Sequence, residues 1–220
     1  TSYVVLNNTV AKDKDFTLTA DVTVKAKPAA SGSGLYVGAF TDIDKSTANL
    51  YAVGFRGANS GVCDLVYYRN KADGSYSGGK YNKVVNAYTN DTVYSVTVTR
   101  KSGKYTTEVK TADGKVNFKS SEEEPSKALM GDVNVGFAVI GTTAVVNNLK
   151  VVSGSDTLFD ASTLTGTYSP FSDNWAAYEG ASVTGTVNDN ENGKITVTVD
   201  GEIGTYGAGS VSYTHLTLPT

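Results

Sequence analysis

Carboxylates are the first residues to test for chemistry, because glycoside cleavage needs two of them held about 5–10 Å apart across the scissile bond. Four acids interrupt extended segments of the chain: Asp21, Asp64, Glu108 and Asp132. Asp21 and Glu108 occupy solvent-facing alternates of their strands. Glu122, Glu123 and Glu124 are consecutive and abut Pro125, so they do not share a strand face. Spacing sets no catalytic pair, and no catalytic residue is assigned. The single cysteine, Cys63, reads as a small buried hydrophobe. As a nucleophile it would need a histidine, and the one histidine is His215, in the last ten residues. Asp42-Ile-Asp44 and Asp189-Asn-Glu-Asn192 are acidic turns that lack the spaced ligands and closing glutamate of an EF-hand. They read as solvated turns. No cofactor is expected.

Tyrosines point to a different chemistry. There are 14 against 7 phenylalanines, and a flat ring with a polar tip suits the apolar face of a sugar. Tyr36, Tyr51, Tyr67, Tyr68, Tyr76, Tyr81 and Tyr88 fall on the central strands or in the Gly- and Tyr-rich stretch 70–90. Arg56 and Asp64 interrupt otherwise apolar strands and offer partners for hydroxyls. The candidate ligand-binding set is therefore Tyr36, Arg56, Asp64 and Tyr68. The competing reading is that the tyrosines coat a sheet and that Arg56 simply pairs with Asp64.

The elements that must carry these residues are strands. Phe16-Thr-Leu-Thr-Ala-Asp-Val-Thr-Val-Lys-Ala26 alternates apolar and polar residues along its length, the period of a half-buried β-strand. Further strands are expected at 3–6, 35–40, 50–56, 62–69, 93–100, 104–110, 116–119, 132–140 and 144–152. Ser31-Gly-Ser-Gly34, Lys101-Ser-Gly103 and Ala112-Asp-Gly114 mark turns. Ser-Lys-Ala-Leu-Met130 suits a single helical turn. The fold class is all-β: a two-sheet antiparallel sandwich of jelly-roll type over residues 1–155, whose core takes Phe16, Leu18, Val22, Val96, Val98, Val135, Phe137, Val139 and Leu149. Residues 156–180 read as a linker, and 181–210 as the first hairpin of a truncated immunoglobulin-like or fibronectin-like domain. Residues 211–220 resemble translated sequencing adapter of the kind met in metagenomic reads, and are left out of the functional argument.

Composition narrows the partners. The 19 basic residues are scattered among 22 acidic ones, for a net charge of −3. There is no basic stripe to follow a nucleic-acid backbone, and no apolar run of the roughly 20 residues that a membrane helix needs.

The order of elements resembles the concanavalin A-like lectin/glucanase superfamily in its laminin G-like form. Phe16-Thr-Leu-Thr-Ala-Asp-Val resembles its opening strand. Gly34-Leu-Tyr-Val-Gly-Ala-Phe40 and Leu50-Tyr-Ala-Val-Gly-Phe-Arg56 are similar to its paired central strands, and Val135 to Val151 to its closing hairpin. The likeness covers about 150 residues, and its motifs are structural, so they speak for fold more than for function. Related sandwiches often hold a calcium ion, so the resemblance leaves room for a structural calcium. Glucanases of this superfamily carry a Glu-x-Asp-x-x-Glu strand, which this chain lacks. The resemblance therefore implies a non-catalytic carbohydrate-binding module of a secreted bacterial polysaccharide-degrading or surface protein, acting beside neighbouring domains and gripping polysaccharide weakly. A structural spacer or adhesin segment without ligand, and a degenerate glycoside hydrolase or polysaccharide lyase, are the alternatives.

Overall fold

The computed structural model describes residues 2–6, 9–25, 34–41, 49–57, 63–68, 88–120, 127–140, 142–161, 175–178, 182–188 and 194–200. For 2–4, 63–68, 127–128, 140, 175–178, 182–188 and 194–200 the backbone alone is described. The expectations placed on Asp42–Asp44, the 70–87 stretch, Glu122–Glu124, Asp189–Asn192, the tail 211–220 and His215 lie outside these residues.

Alternation becomes strands wherever it was read. The first five are β1 (Ser2–Leu6), β2 (Phe16–Val24), β3 (Gly34–Thr41), β4 (Asn49–Gly57) and β5 (Cys63–Tyr68). They are followed by β6 (Tyr94–Lys101), β7 (Lys104–Thr111), β8 (Val116–Lys119), the one-turn helix α1 (Lys127–Met130), β9 (Asn134–Ile140) and β10 (Thr143–Ser153). Then come β11 (Asp156–Asp160), β12 (Trp175–Tyr178), β13 (Ser182–Asn188) and β14 (Lys194–Asp200). No described helix is long and apolar enough to cross a membrane.

Two antiparallel sheets result. One has six strands in the order β12-β1-β9-β3-β4-β5. The other has eight: β13-β14-β10-β2-β6-β7-β8, with β11 also on β10. The chain is thus an all-β sandwich. All nine residues expected in the core belong to one buried cluster, and they come from strands of both sheets. Turn chemistry fixes the registers. Lys101 pairs with Lys104 around Ser102 and Gly103, both at positive φ (50° and 76°), the geometry of a two-residue hairpin whose twist matches its strands.

The stretch after Ser155 corrects the sequence expectation. Residues expected as a linker supply β11, on β10, and β12, on β1. The hairpin β13–β14, expected to open a second domain without partner strands, pairs with Thr143–Val146 of β10. Turn signals alone cannot tell a new domain from an edge strand of the old one. The physical reason for the outcome is that β1 and β10 would otherwise present rows of unpaired N–H and C=O groups. β11 covers only Lys150–Ser153 of β10, which leaves the other half of that edge to β14.

One end of the sandwich is closed by a buried cation. Arg100 stands on the inward alternate after Tyr94, Val96 and Val98, and is 2% exposed. Its Nε and Nη2 donate to the Lys14 carbonyl at 2.9 and 2.7 Å, and Nη2 also to that of Ala11 at 2.8 Å. Nη1 donates to the carbonyls of Leu129 and Gly131 at 3.2 and 2.7 Å. All five guanidinium hydrogens are used. The guanidinium also lies 5.6 Å from the Phe16 ring centroid. The clamp ties the segment before β2 to the end of α1. The Tyr105 hydroxyl adds a bond to the Leu129 carbonyl at 2.7 Å.

Candidate functional site

The registers decide which side of the six-stranded sheet each candidate occupies. Leu35, Val37 and Ala39 of β3, and Tyr51, Val53 and Phe55 of β4, enter the core between the sheets. Their alternates therefore form the outer face. Tyr36 pairs with Gly54 on one side and Ala138 on the other. One row along, Gly34 pairs with Arg56, and Arg56 with Asp64. One row the other way, Gly136, Gly38, Ala52 and Tyr68 follow one another across β9, β3, β4 and β5. Positions 36, 56, 64 and 68 therefore share one face within three adjacent rows, with 64 and 68 on the edge strand β5. A slip of one residue would have scattered them.

The face is not the open aromatic platform that the sequence suggested. Tyr36 is 2% exposed and Phe40 0%. Val5, Leu50, Ala52 and Ala138 are equally buried and lie outside the core between the sheets. Tyr36 thus cannot offer a bare ring to a pyranose, which corrects its role. Of the described tyrosines, Tyr51, Tyr88, Tyr94 and Tyr105 are buried as well, in the core. Tyr51 stacks obliquely on Tyr105 at 4.7 Å, and Phe55, Tyr88 and Tyr94 pack edge to face or tilted. Arg56 keeps intermediate exposure at the end of the face. Sequence reasoning missed the small residues around Tyr36: Gly34, Gly38, Gly54, Gly136, Ala52 and Ala138. A side chain at Gly38 would meet the Tyr51 carbonyl oxygen at 2.1 Å, so that position admits only hydrogen. The signal was present, since β3 is apolar or glycine almost throughout and does not alternate.

Three of the four strand acids are occupied by ordinary partners, and for Asp64 the backbone alone is described. Glu108, the one glutamate among the described residues, meets Lys110 at 3.0 Å and Lys119 at 3.6 Å. The Lys110 ammonium, more than Lys119, holds its carboxyl below the usual range. That makes it a poor proton donor near neutrality. Asp21 accepts from Ser95 Oγ and Asn148 Nδ2, both at 2.7 Å. Asn148 reaches it from a β-bulge in β10, at φ 52°. Asp132 accepts from the Lys12 amide at 2.6 Å. Among the described residues no three His, Cys, Asp or Glu side chains converge to hold a metal ion.

No protein-family model matches the sequence, and no characterised protein matches it in sequence. Solved structures resemble it in fold alone. Scytalido-glutamic peptidase with a transition state analog inhibitor aligns over 91% of this chain and 100% of its own, at a TM-score of 0.51 and 11% identity. Peanut lectin aligns over 86% and 72% at 0.33 and 13% identity, and an alginate lyase of polysaccharide lyase family 7 over 70% and 63% at 0.38 and 14%. The first likeness establishes a shared two-sheet architecture and nothing about chemistry. The TM-scores of the other two are too low to carry an argument.

Proposed function

We propose that the chain is a non-catalytic module that holds polysaccharide weakly at the β4–β5 end of the outer face of the six-stranded sheet, within a secreted or surface-attached bacterial protein of the concanavalin A-like lectin/glucanase class. The observation that carries the reading is the register. It brings Arg56 opposite position 64 and sets both beside positions 36 and 68 on one face. Arg56 supplies donors for sugar hydroxyls, and buried Tyr36 serves as a fixed floor beneath them. The non-catalytic part rests on the sequence, which carries no Glu-x-Asp-x-x-Glu strand. Dissociation constants on the order of millimolar to micromolar are expected, because contact at one end of a sheet face buries little of each sugar.

The spacer reading draws support from the burial of Tyr36, since a covered face needs no ligand. A glycan array probed with the full chain separates the two. Retention of a polysaccharide by the wild type, reduced at least tenfold in Arg56→Gln, supports the module. Failure of the wild type to retain any glycan supports the spacer.

A further inference from the structure

The eight-stranded sheet carries a second feature. At its Asp15 end, β10, β2 and β6 form the row Val152–Thr17–Thr99. Above this row lies a pocket of about 210 Å3, walled by Asp15, Lys101 and Gly154. We propose that this pocket is a saccharide subsite that takes one pyranose unit of a glycan chain through a vicinal diol.

Four observations carry the proposal. The first is size: pockets for drug-sized ligands run to about 300–1,000 Å3, and this one is scaled to a single ring. The second is uncommitted polar capacity. The Asp15 carboxylate uses one oxygen, Oδ1, to accept from the Ser102 amide at 2.8 Å. Its other oxygen is open to a hydroxyl. Lys101 is exposed and makes no ion pair among the described residues, and the hydroxyls of Thr17 and Thr99 stand on the same outer face. The lining thus holds acceptors and donors together, as a diol requires, because each hydroxyl both gives and takes a hydrogen bond.

The third observation is preorganisation. Asp15 is fixed through its side chain by Ser102, and through its carbonyl by Ser153 Oγ at 2.7 Å. Its neighbour Phe16 is anchored in the core. Little ordering is left for a ligand to impose. The fourth is access. Gly154, at φ 61°, has nothing within 4 Å of where a side chain would begin, so that wall stays low. Val152 supplies an apolar patch for the C–H face of the ring. This subsite is on the opposite sheet from the Arg56 face and does not depend on it.

The test uses the full chain and a panel of neutral tetrasaccharides, followed by amide NMR shifts. At least one sugar is expected to shift the amides of Thr17, Thr99, Lys101 and Gly154 at millimolar concentration. Thr99→Val, which keeps the side-chain shape, and Asp15→Asn, which keeps an acceptor for Ser102, should each weaken those shifts at least fivefold while the remaining spectrum stays folded. Arg56→Gln should leave them unchanged, which separates this subsite from the proposed site on the other sheet. Absence of shifts at these amides with every sugar would overturn the proposal. So would shifts of equal strength in both pocket variants, or shifts lost in Arg56→Gln.

Discussion

The outer faces of the two sheets are built from the same kind of strand and treated in opposite ways. On the eight-stranded sheet, β2, β6 and β7 alternate buried and accessible residues, and the outer positions hold Thr17, Thr19, Thr97, Thr99, Thr106 and Glu108. On the six-stranded sheet, every residue of β3 is buried, and all of β4 except Arg56. A strand buried on both sides reads as a continuous apolar run, whereas a half-buried strand alternates. The difference locates where the molecule has placed small and aromatic residues on a face that has no part in the core between its sheets.

The contrast can be broken by substitution. Tyr36→Ala should cost about 3–5 kcal/mol in urea denaturation, the penalty of truncating a buried aromatic, while Thr97→Ala on the other sheet should stay within about 0.5 kcal/mol. Equal losses at the two positions would show that Tyr36 is covered no better than Thr97. Gly38→Ala should cost about 2–3 kcal/mol, because the new methyl group runs into backbone and not into a side chain that can swing away. The same change at Gly114, where nothing lies within 4 Å, meets only the strain of φ 83° and should cost less.

Acid–base titration sharpens the comparison from the core outward. Burial pushes the Tyr105 phenol up from 10.0 to about 12, against the opposing pull of Arg100 beside it. Its neutral form is the one the fold favours, so this contribution is intact below pH 10 and is lost as pH rises from about 10 to 12. Stability should fall by about 2–3 kcal/mol across that window, and Tyr105→Phe should flatten the fall. On the exposed sheet the effect is smaller and opposite in sign. The lowered carboxyl of Glu108 favours the fold above its unfolded value of 4.5 and loses that contribution as pH drops through the folded one. Glu108→Gln should cost at most about 0.5 kcal/mol at pH 7, less in high salt, and nothing in strong acid.

Most of the sandwich could be read from its alternation. The strands from Phe16 to Val152 and their core alternates follow from period two, and even the inward place of Arg100 follows from counting along Tyr94, Val96 and Val98. What could not be read was which edge a late strand would join. Trp175–Tyr178 and the β13–β14 hairpin look the same in sequence whether they start a domain or finish one, because backbone hydrogen bonding carries no residue signature. The candidate site was half legible. Pairing of Arg56 with position 64 follows from the β4–β5 hairpin, but the burial of Tyr36 does not. An aromatic residue between glycines can floor a covered face as well as an open one.

Hydrogen exchange with and without a retained glycan tests the placement of the proposed site most directly. The full chain should gain protection in 49–57 and 63–68 when sugar is bound, with the effect centred on Arg56, and Arg56→Gln should abolish that gain. A glycan that leaves those strands unchanged in the wild type, or protects them equally in the variant, would contradict the assignment of the outer six-stranded face as the binding surface.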